Sequence, residues 1–402
     1  MNKSLEDLAV INYGRDYKAN PVGEEVPIYG TGGIMGYTSL KLNTGPAILS
    51  GRKGSINNPL FIDGDFWNVD TIFCIKPKEG IDPKWLFYNF RNTDLSKLNE
   101  ATGVPSVSAS NLYKLKFKYF DIPQQKKIAQ ILSTCDVVLK QTEAAIAKYQ
   151  ALKQGMLHDL FTRGIDVNTG QLRPSYKDAP ELYKDTELGF VPKEWEVQKI
   201  EEFASQEQYA IVDGPFGSNL KTIHYREKGI PVIQSGFVTS NSFVAEKYLY
   251  VDKSKYLQEI RSAVRAGDLV MAKIGAKCGT CALLPSNHIN GILAGNSLKI
   301  TVDKNNVTEY LLHFLHLANL KGSLGLITST TAQPAISMAS LKKMNISRPD
   351  KLEQEVITNR LKSITEKINT ERQTFAKYTQ LKAGLMQDLL SGAVGVEGLL
   401  DK

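Results

Sequence analysis

Apolar side chains recur at alternating spacings of four and three along two stretches of the chain. The first stretch carries Ile128, Leu132, Cys135, Leu139, Thr142, Ile146 and Tyr149, and the second Ile357, Leu361, Ile364, Ile368, Glu371, Phe375 and Tyr378. This is the a/d period of helices that bury one seam against a partner helix. Each predicted helix runs about 38 residues, Pro123 to Leu160 and Leu352 to Leu389, or roughly 57 Å at 1.5 Å per residue, too long for one small core. Pro123 suits a first turn that needs no N–H, and Gly164 and Gly392 supply the stops. Both stripes weaken at the same rung, Thr142 and Glu371, as helices that face each other would.

Ahead of each helix the pattern turns short and mixed. Apolar runs at Pro46–Leu49 and Asp268–Ala272 read as strands among Gly-rich turns, and Pro83–Phe90 and Thr308–Ala318 as amphipathic helices. Between the halves, GIDVNTGQLRPSYKDAPELYKDTELGFVP has no period and is rich in turn formers, which predicts a linker. The expected division is therefore a globule over 1–122, a helical strut over 123–163, a linker over 164–190, a second globule over 191–351, a second strut over 352–392 and a tail over 393–402. The expected fold class is α+β, two mixed globules each followed by a long helix.

The two halves are copies. A shift of 229 places Thr102, Pro105, Ser108 and Leu112 on Thr331, Pro334, Ser337 and Leu341, and Lys148–Leu160 on Lys377–Leu389. Seventeen of the fifty-nine aligned positions from 102 to 160 are identical without a gap, against about one in seventeen expected from composition. The beginnings also match, Leu5–Ala9 on Ile200–Ala204, but at a shift of 195, so the second half carries 34 extra residues in between. A shared frame with diverged middles implies two related jobs on different targets.

Composition narrows the class. The 402 residues allow two or three domains, and 42% hydrophobic content can give each a core. Lys and Arg exceed Asp and Glu by 49 to 42, which permits nucleic acid without demanding it. Four cysteines cannot frame so long a chain with disulfides, and the N-terminus lacks a basic-then-apolar leader, so the cytoplasm is expected. No apolar run is long enough for a bilayer, and membrane insertion is excluded.

Two variable globules each followed by a long helix, a PxEW-type approach to the second globule (Pro192, Glu194, Trp195), the segment DGPFGSNLK at 213–221, and the strut endings KYQALKQGMLHDLFTRGI and KYTQLKAGLMQDLLSGAV together resemble the specificity subunit of Type I restriction-modification enzymes. The resemblance covers essentially the whole chain; its departure is the absence of a tryptophan entry motif ahead of Leu5, which implies that the edge of the first globule is either trimmed or closed differently. It implies two target recognition domains held apart by struts that pair as an antiparallel coiled coil, with a pseudo-twofold axis relating the copies. Double-stranded DNA would be read at two unlike half-sites, with strut length setting the spacer. It also implies partners: two methyltransferase subunits that modify adenine with S-adenosylmethionine, and motor-nuclease subunits that use ATP to cut unmodified DNA, as in defence against phage. The chain itself would bind no cofactor and catalyse nothing.

The residues agree that chemistry is missing. DGPF at 213–216 and NNPLF at 57–61 both fail the N/D-P-P-F/Y pattern of a methyltransferase, Gly30, Gly32, Gly33 and Gly36 miss the spacing of a nucleotide loop, and there is no GKS or GKT. Cys278 and Cys281 with His313 and His316 could furnish four zinc ligands, but the histidine spacing is one short and core placement is the expectation. Candidate DNA contacts are basic and polar side chains in Gly-rich loops: Thr31, Tyr37, Arg52, Lys53, Ser55 and Asn57 in the first globule, Ser218, Asn219, Lys221, Lys273 and Lys277 in the second. Ser108 and Ser337, in the repeated segment, are expected to set a shared turn or touch phosphate. The rival reading is a protein-binding scaffold without DNA affinity.

Overall fold

The computed structural model describes the whole chain except Phe216, Ser240, Asn241, Thr330 to Ala332, Asp401 and Lys402, so Thr331 of the sequence repeat lies outside the described residues. The chain divides into two compact units, residues 1–146 with 370–402, and residues 147–369. Both boundaries fall inside the long helices rather than at their ends.

In the first unit, Asn2–Ser4 pairs antiparallel with Lys116–Lys118, and the short helix α1 (Leu5–Leu8) follows under a capping box made by Ser4 and Asp7. One four-stranded sheet has the order Ala9–Tyr13, Ile72–Pro77, Ala47–Gly51, Leu60–Ile62, and a second the order Gly33–Thr38, Val22–Gly30, Asp65–Asn68, Asn43–Thr44. Ala47–Gly51 is buried at all five positions, Ser50 included, because it lies between two neighbouring strands with both faces covered. Helix α2 (Pro83–Arg91) starts with Asp82 accepting the Trp85 N–H and with proline in its first turn, and it buries Trp85, Leu86, Tyr88 and Phe90. Helix α3 (Ala109–Tyr113) leads into the long helix α4 (Ile122–Thr162).

The second unit repeats this plan. Its sheets run Ile211–Asp213, Ser297–Ile300, Leu269–Ala272, Cys281–Leu283 and Leu249–Val251, Ile230–Ile233, Gly291–Leu293, Ala263–Val264, and each has the same strand-by-strand connectivity as its counterpart. Glu196–Lys199 pairs with Asn345–Arg348 ahead of α5 (Ile200–Phe203). The extra residues are spent in connections, among them α6 (Lys253–Gln258) and the two short strands Val238–Thr239 and Ser242–Phe243. The middles therefore share a topology that sequence divergence hides. Helices α7 (Thr308–Leu320), α8 (Met338–Lys342) and α9 (Lys351–Ser391) follow. Helices α3 and α8, and α4 and α9, stand 229 residues apart at both ends, and α4 and α9 each have 41 residues.

Within each unit a part of α4 packs against a part of α9. In the first unit Ile128 and Leu132 share a core with Met386, Leu389 and Leu390, and Lys382 pairs with Asp136. In the second, Leu157, Leu160 and Phe161 share a core with Ile357 and Leu361, and the Lys367 ammonium lies 4.8 Å from the Tyr149 ring centre. Numbers rise on one helix as they fall on the other, so the segments run antiparallel. Of the predicted seam, Ile128, Leu132, Ile357, Leu361, Ile364 and Ile368 are buried, while Cys135, Leu139, Ile146, Tyr149 and Phe375 are half-buried. Tyr378 departs from the expectation at 36% exposed, and Lys382 takes the buried place one turn later because Asp136 supplies its countercharge. The weak rung at Thr142 is buried with its hydroxyl donating to the Val138 carbonyl at 2.8 Å.

The expected linker is not a loose connection. Ile165–Asp166 pairs with Gln171–Leu172 and Tyr183–Lys184 with Val191–Pro192, and Ile165, Val191 and Trp195 enter the core of the second unit. Glu353, 3% exposed, ties the segment down. It accepts from the Ile165 N–H at 2.7 Å, from the Trp195 indole at 3.0 Å and from the Arg173 guanidinium at 3.1 Å. In the first unit, where no tryptophan precedes Leu5, Val396 of the tail is buried in the core and Glu397 accepts from Gln124 at 2.7 Å.

Candidate nucleic-acid interface

The strand at the heart of each first sheet ends in a Gly-rich loop, and the same clamp holds both loops. In the first unit the Gly54 N–H donates to the Pro105 carbonyl at 2.8 Å and the Val107 N–H to the Arg52 carbonyl at 3.0 Å. In the second, Gly275 donates to Pro334 at 2.9 Å and Ile336 to Lys273 at 3.0 Å. Gly54 and Gly275 both sit at positive φ, 93° and 102°, where a side chain would be strained. The repeated segment around Pro105 and Pro334 thus acts as a strap, and Arg52 and Lys273 occupy one structural position in two copies.

Their surroundings differ. Arg52 donates to the Asp70 carbonyl at 3.2 Å and lies 5.4 Å from the centre of the Tyr13 ring. Lys273 is paired with Asp213 at 2.6 Å, and the other oxygen of that carboxylate takes Arg261 at 2.8 Å. Tyr13 and Asp213 both end the edge strand of their sheet. Beside Lys273 opens a cleft of about 660 Å³, lined by Asp213, Lys273, the stretches 326–329 and 335–338, and Ser340.

Thr31 is half-buried beside Gly54, 3.2 Å from where a Cβ there would lie, which brings the Gly30–Gly36 turn next to the basic loop. Lys53, Ser55 and Tyr37 are exposed. Asn57 is a brace instead: its amide donates to Asp94 at 3.3 Å and its oxygen accepts the Leu95 N–H at 2.9 Å. Ser108 and Ser337 are the N-caps of α3 and α8, accepting from Asn111 and Ser340, and Ser108 also donates to Glu100 at 2.7 Å. Asn219, Lys221 and Lys277 are exposed, while the side chain of Ser218 lies outside the described residues.

The CxxC does not gather ligands. Cys278 donates to the Lys273 carbonyl at 2.9 Å, and Cys281 is buried on its strand with the thiol pushed up to about 12 by burial. Burial, and after it the Lys153 charge, hold His313 down to about 3 and His316 below the usual range. Among the described residues no group of three or more His, Cys, Asp or Glu is placed to hold a metal ion.

Sequence reasoning passed over the residues that anchor the starts of the long helices. Gln125 and Gln354, both fully buried, receive the backbone N–H of Asp82 and of Val307 at 2.8 Å and donate to the Phe120 and Pro349 carbonyls at 2.7 and 2.9 Å. They fix the start of each long helix to the start of α2 or α7. Their signal was present, since the two glutamines are one of the identities in the repeat.

A family model described as Type I restriction modification DNA specificity domain matches residues 1–148 and 192–378. Among curated proteins, the type I restriction enzyme MjaVIII specificity subunit of Methanocaldococcus jannaschii is 26% identical over 367 residues, 88% of this chain and 77% of that one. The putative MjaX specificity subunit of the same organism is 24% identical over 334 residues, 81% and 72% of the two chains. Among solved structures, the S subunit of a Type-I restriction-modification system from M. genitalium superposes with a TM-score of 0.62 at 15% identity, covering 97% of this chain and 96% of that one. A chain from a structure on complex assembly and conformational transition of the type I R-M system gives 0.53 at 14% identity, covering 98% of both.

Proposed function

Because the chain belongs to the family of Type I restriction-modification DNA specificity subunits, the non-catalytic components of those systems, we propose that its two units read the two unlike halves of a bipartite, asymmetric duplex DNA target. The observation that carries this reading is the repeated clamp: one backbone geometry presents Arg52 in one unit and Lys273 in the other, in unlike company. A conserved presentation with changed contacts is what two readers of different sequences need.

Thr31, Tyr37, Arg52, Lys53 and Ser55 are the contacts of the first unit, and Asn219, Lys221, Lys273 and Lys277 those of the second. Asn57, Ser108 and Ser337 serve the loops from behind. Exposed apolar positions of the long helices, among them Val137 and Leu381 in the first unit and Leu152 in the second, are surface for two methyltransferase subunits, which supply S-adenosylmethionine and the reaction on adenine. Motor-nuclease subunits bring ATP. No helix among the described residues is long and apolar enough to cross a membrane, in keeping with work on DNA in the cytoplasm.

The test is co-expression with the methyltransferase subunits of the same host, followed by sequencing that reports modified adenines. A single split motif that vanishes without this chain is the expected result. Unchanged methylation and no co-purification would leave the scaffold reading in its place.

A further inference from the structure

We propose that Asp213 is a positioning residue for recognition of the second half-site, holding Lys273 in the attitude from which it meets DNA; the proposal rests on the DNA-reading function above. Lys273 and Asp213 meet at 2.6 Å with side chains only 13% and 16% exposed, at the wall of the cleft of the second unit. Arg261 engages the other carboxylate oxygen at 2.8 Å, and the Ser262 hydroxyl donates to the Asp213 backbone carbonyl at 2.9 Å. Carboxylate and backbone are both pinned, so Asp213 is a fixed anchor at the end of its strand.

The first unit offers an internal control. The residue at the same strand end is Tyr13, which faces Arg52 with a ring instead of a charge. Both units therefore restrain the loop's basic residue from the same place, by different chemistry. A restraint kept in position while its chemistry changes has the task of orientation. A lysine on a four-carbon stem has many rotamers, and presetting one lowers the ordering cost of each specific contact.

The proposal makes a prediction opposite to charge counting. Removing a carboxylate from a surface that meets phosphate should by charge alone strengthen binding and change nothing else. Loss of positioning instead lowers selectivity. Co-expressed with the methyltransferase subunits, the wild-type chain defines a split motif, and Arg52→Ala and Lys273→Ala identify which half each unit reads. Asp213→Asn, which keeps shape, is expected to relax the Lys273 half and leave the other sharp. With the purified complex, the ratio of affinities for motif duplex over scrambled duplex should fall about tenfold, as for one lost contact, with scrambled binding equal or stronger. On a Lys273→Ala background Asp213→Asn should add nothing, since it acts through Lys273.

A ratio changed less than twofold by Asp213→Asn would overturn the proposal, as would relaxation of both halves alike or an undiminished effect without Lys273. Should Asp213→Asn fail to fold, Asp213→Glu and Asp213→Tyr, the latter grafting the residue of the first unit, carry the same comparison. A wild-type chain that directs no split motif would instead defeat the DNA-reading function itself.

Discussion

Glu353 shows how much one side chain carries. It is the buried acceptor for a backbone N–H, an indole and a guanidinium drawn from three stretches of sequence. Glu353→Ala should lower stability by about 3–5 kcal/mol, because it leaves Arg173 only the exposed Glu194 as countercharge and leaves buried donors unmet; denaturant unfolding will measure it. His313 makes a second prediction. Held to about 3 in the folded chain, against about 6.5 unfolded, it takes up its proton in the unfolded state first. Its stabilisation is complete above pH 6.5 and is lost as pH falls towards 3, at up to about 1.4 kcal/mol per pH unit. His316, also depressed, has the same sign. In equilibrium unfolding followed from pH 7 to 4, His313→Phe should flatten the slope relative to wild type.

Elements differ in how openly the sequence declares them. The long helices were legible almost to the residue, Pro123 to Leu160 expected and Ile122–Thr162 found, because a sustained period and a stop glycine are strong signals. The sheets were legible only in part, at Pro46–Leu49 and Asp268–Ala272, found as the strands Ala47–Gly51 and Leu269–Ala272. Their strands are two to nine residues long, too short for a period to show, and the copies drift: Gly54 matches Gly275 at a shift of 221, while Pro105 matches Pro334 at 229. No single ungapped alignment places both the loop and its strap, so the sequence offers Arg52 and Lys273 only as basic loop residues and hides their equivalence. In the expected linker, composition registers the turns and not the strand pairs and the Ile165 packing that accompany them. At this scale Leu132→Ala and Leu361→Ala each should cost about 2–5 kcal/mol, and hydrogen exchange should quicken in the first unit for Leu132 and in the second for Leu361, whose cores they line.

For the whole molecule, the modest surplus of seven positive charges means that affinity for DNA rests on local clusters rather than overall charge. Binding to the motif duplex should weaken steeply as salt rises, and if Lys277 meets a phosphate, as proposed above, its removal should reduce the log–log slope by about 0.9 without altering the motif. A scaffold for proteins would show no duplex binding to weaken.

The boundaries inside the long helices also impose an order on synthesis. Residues 147–369 leave the ribosome as one continuous run with everything their unit requires. The globule made first waits longest, since Ile128 and Leu132 meet Met386, Leu389 and Leu390 only once the second long helix has been made to its end. A nascent chain halted after Asn369 would contain every strand of that globule and still expose its apolar floor, a substrate for chaperones and proteases until the last helical turns arrive.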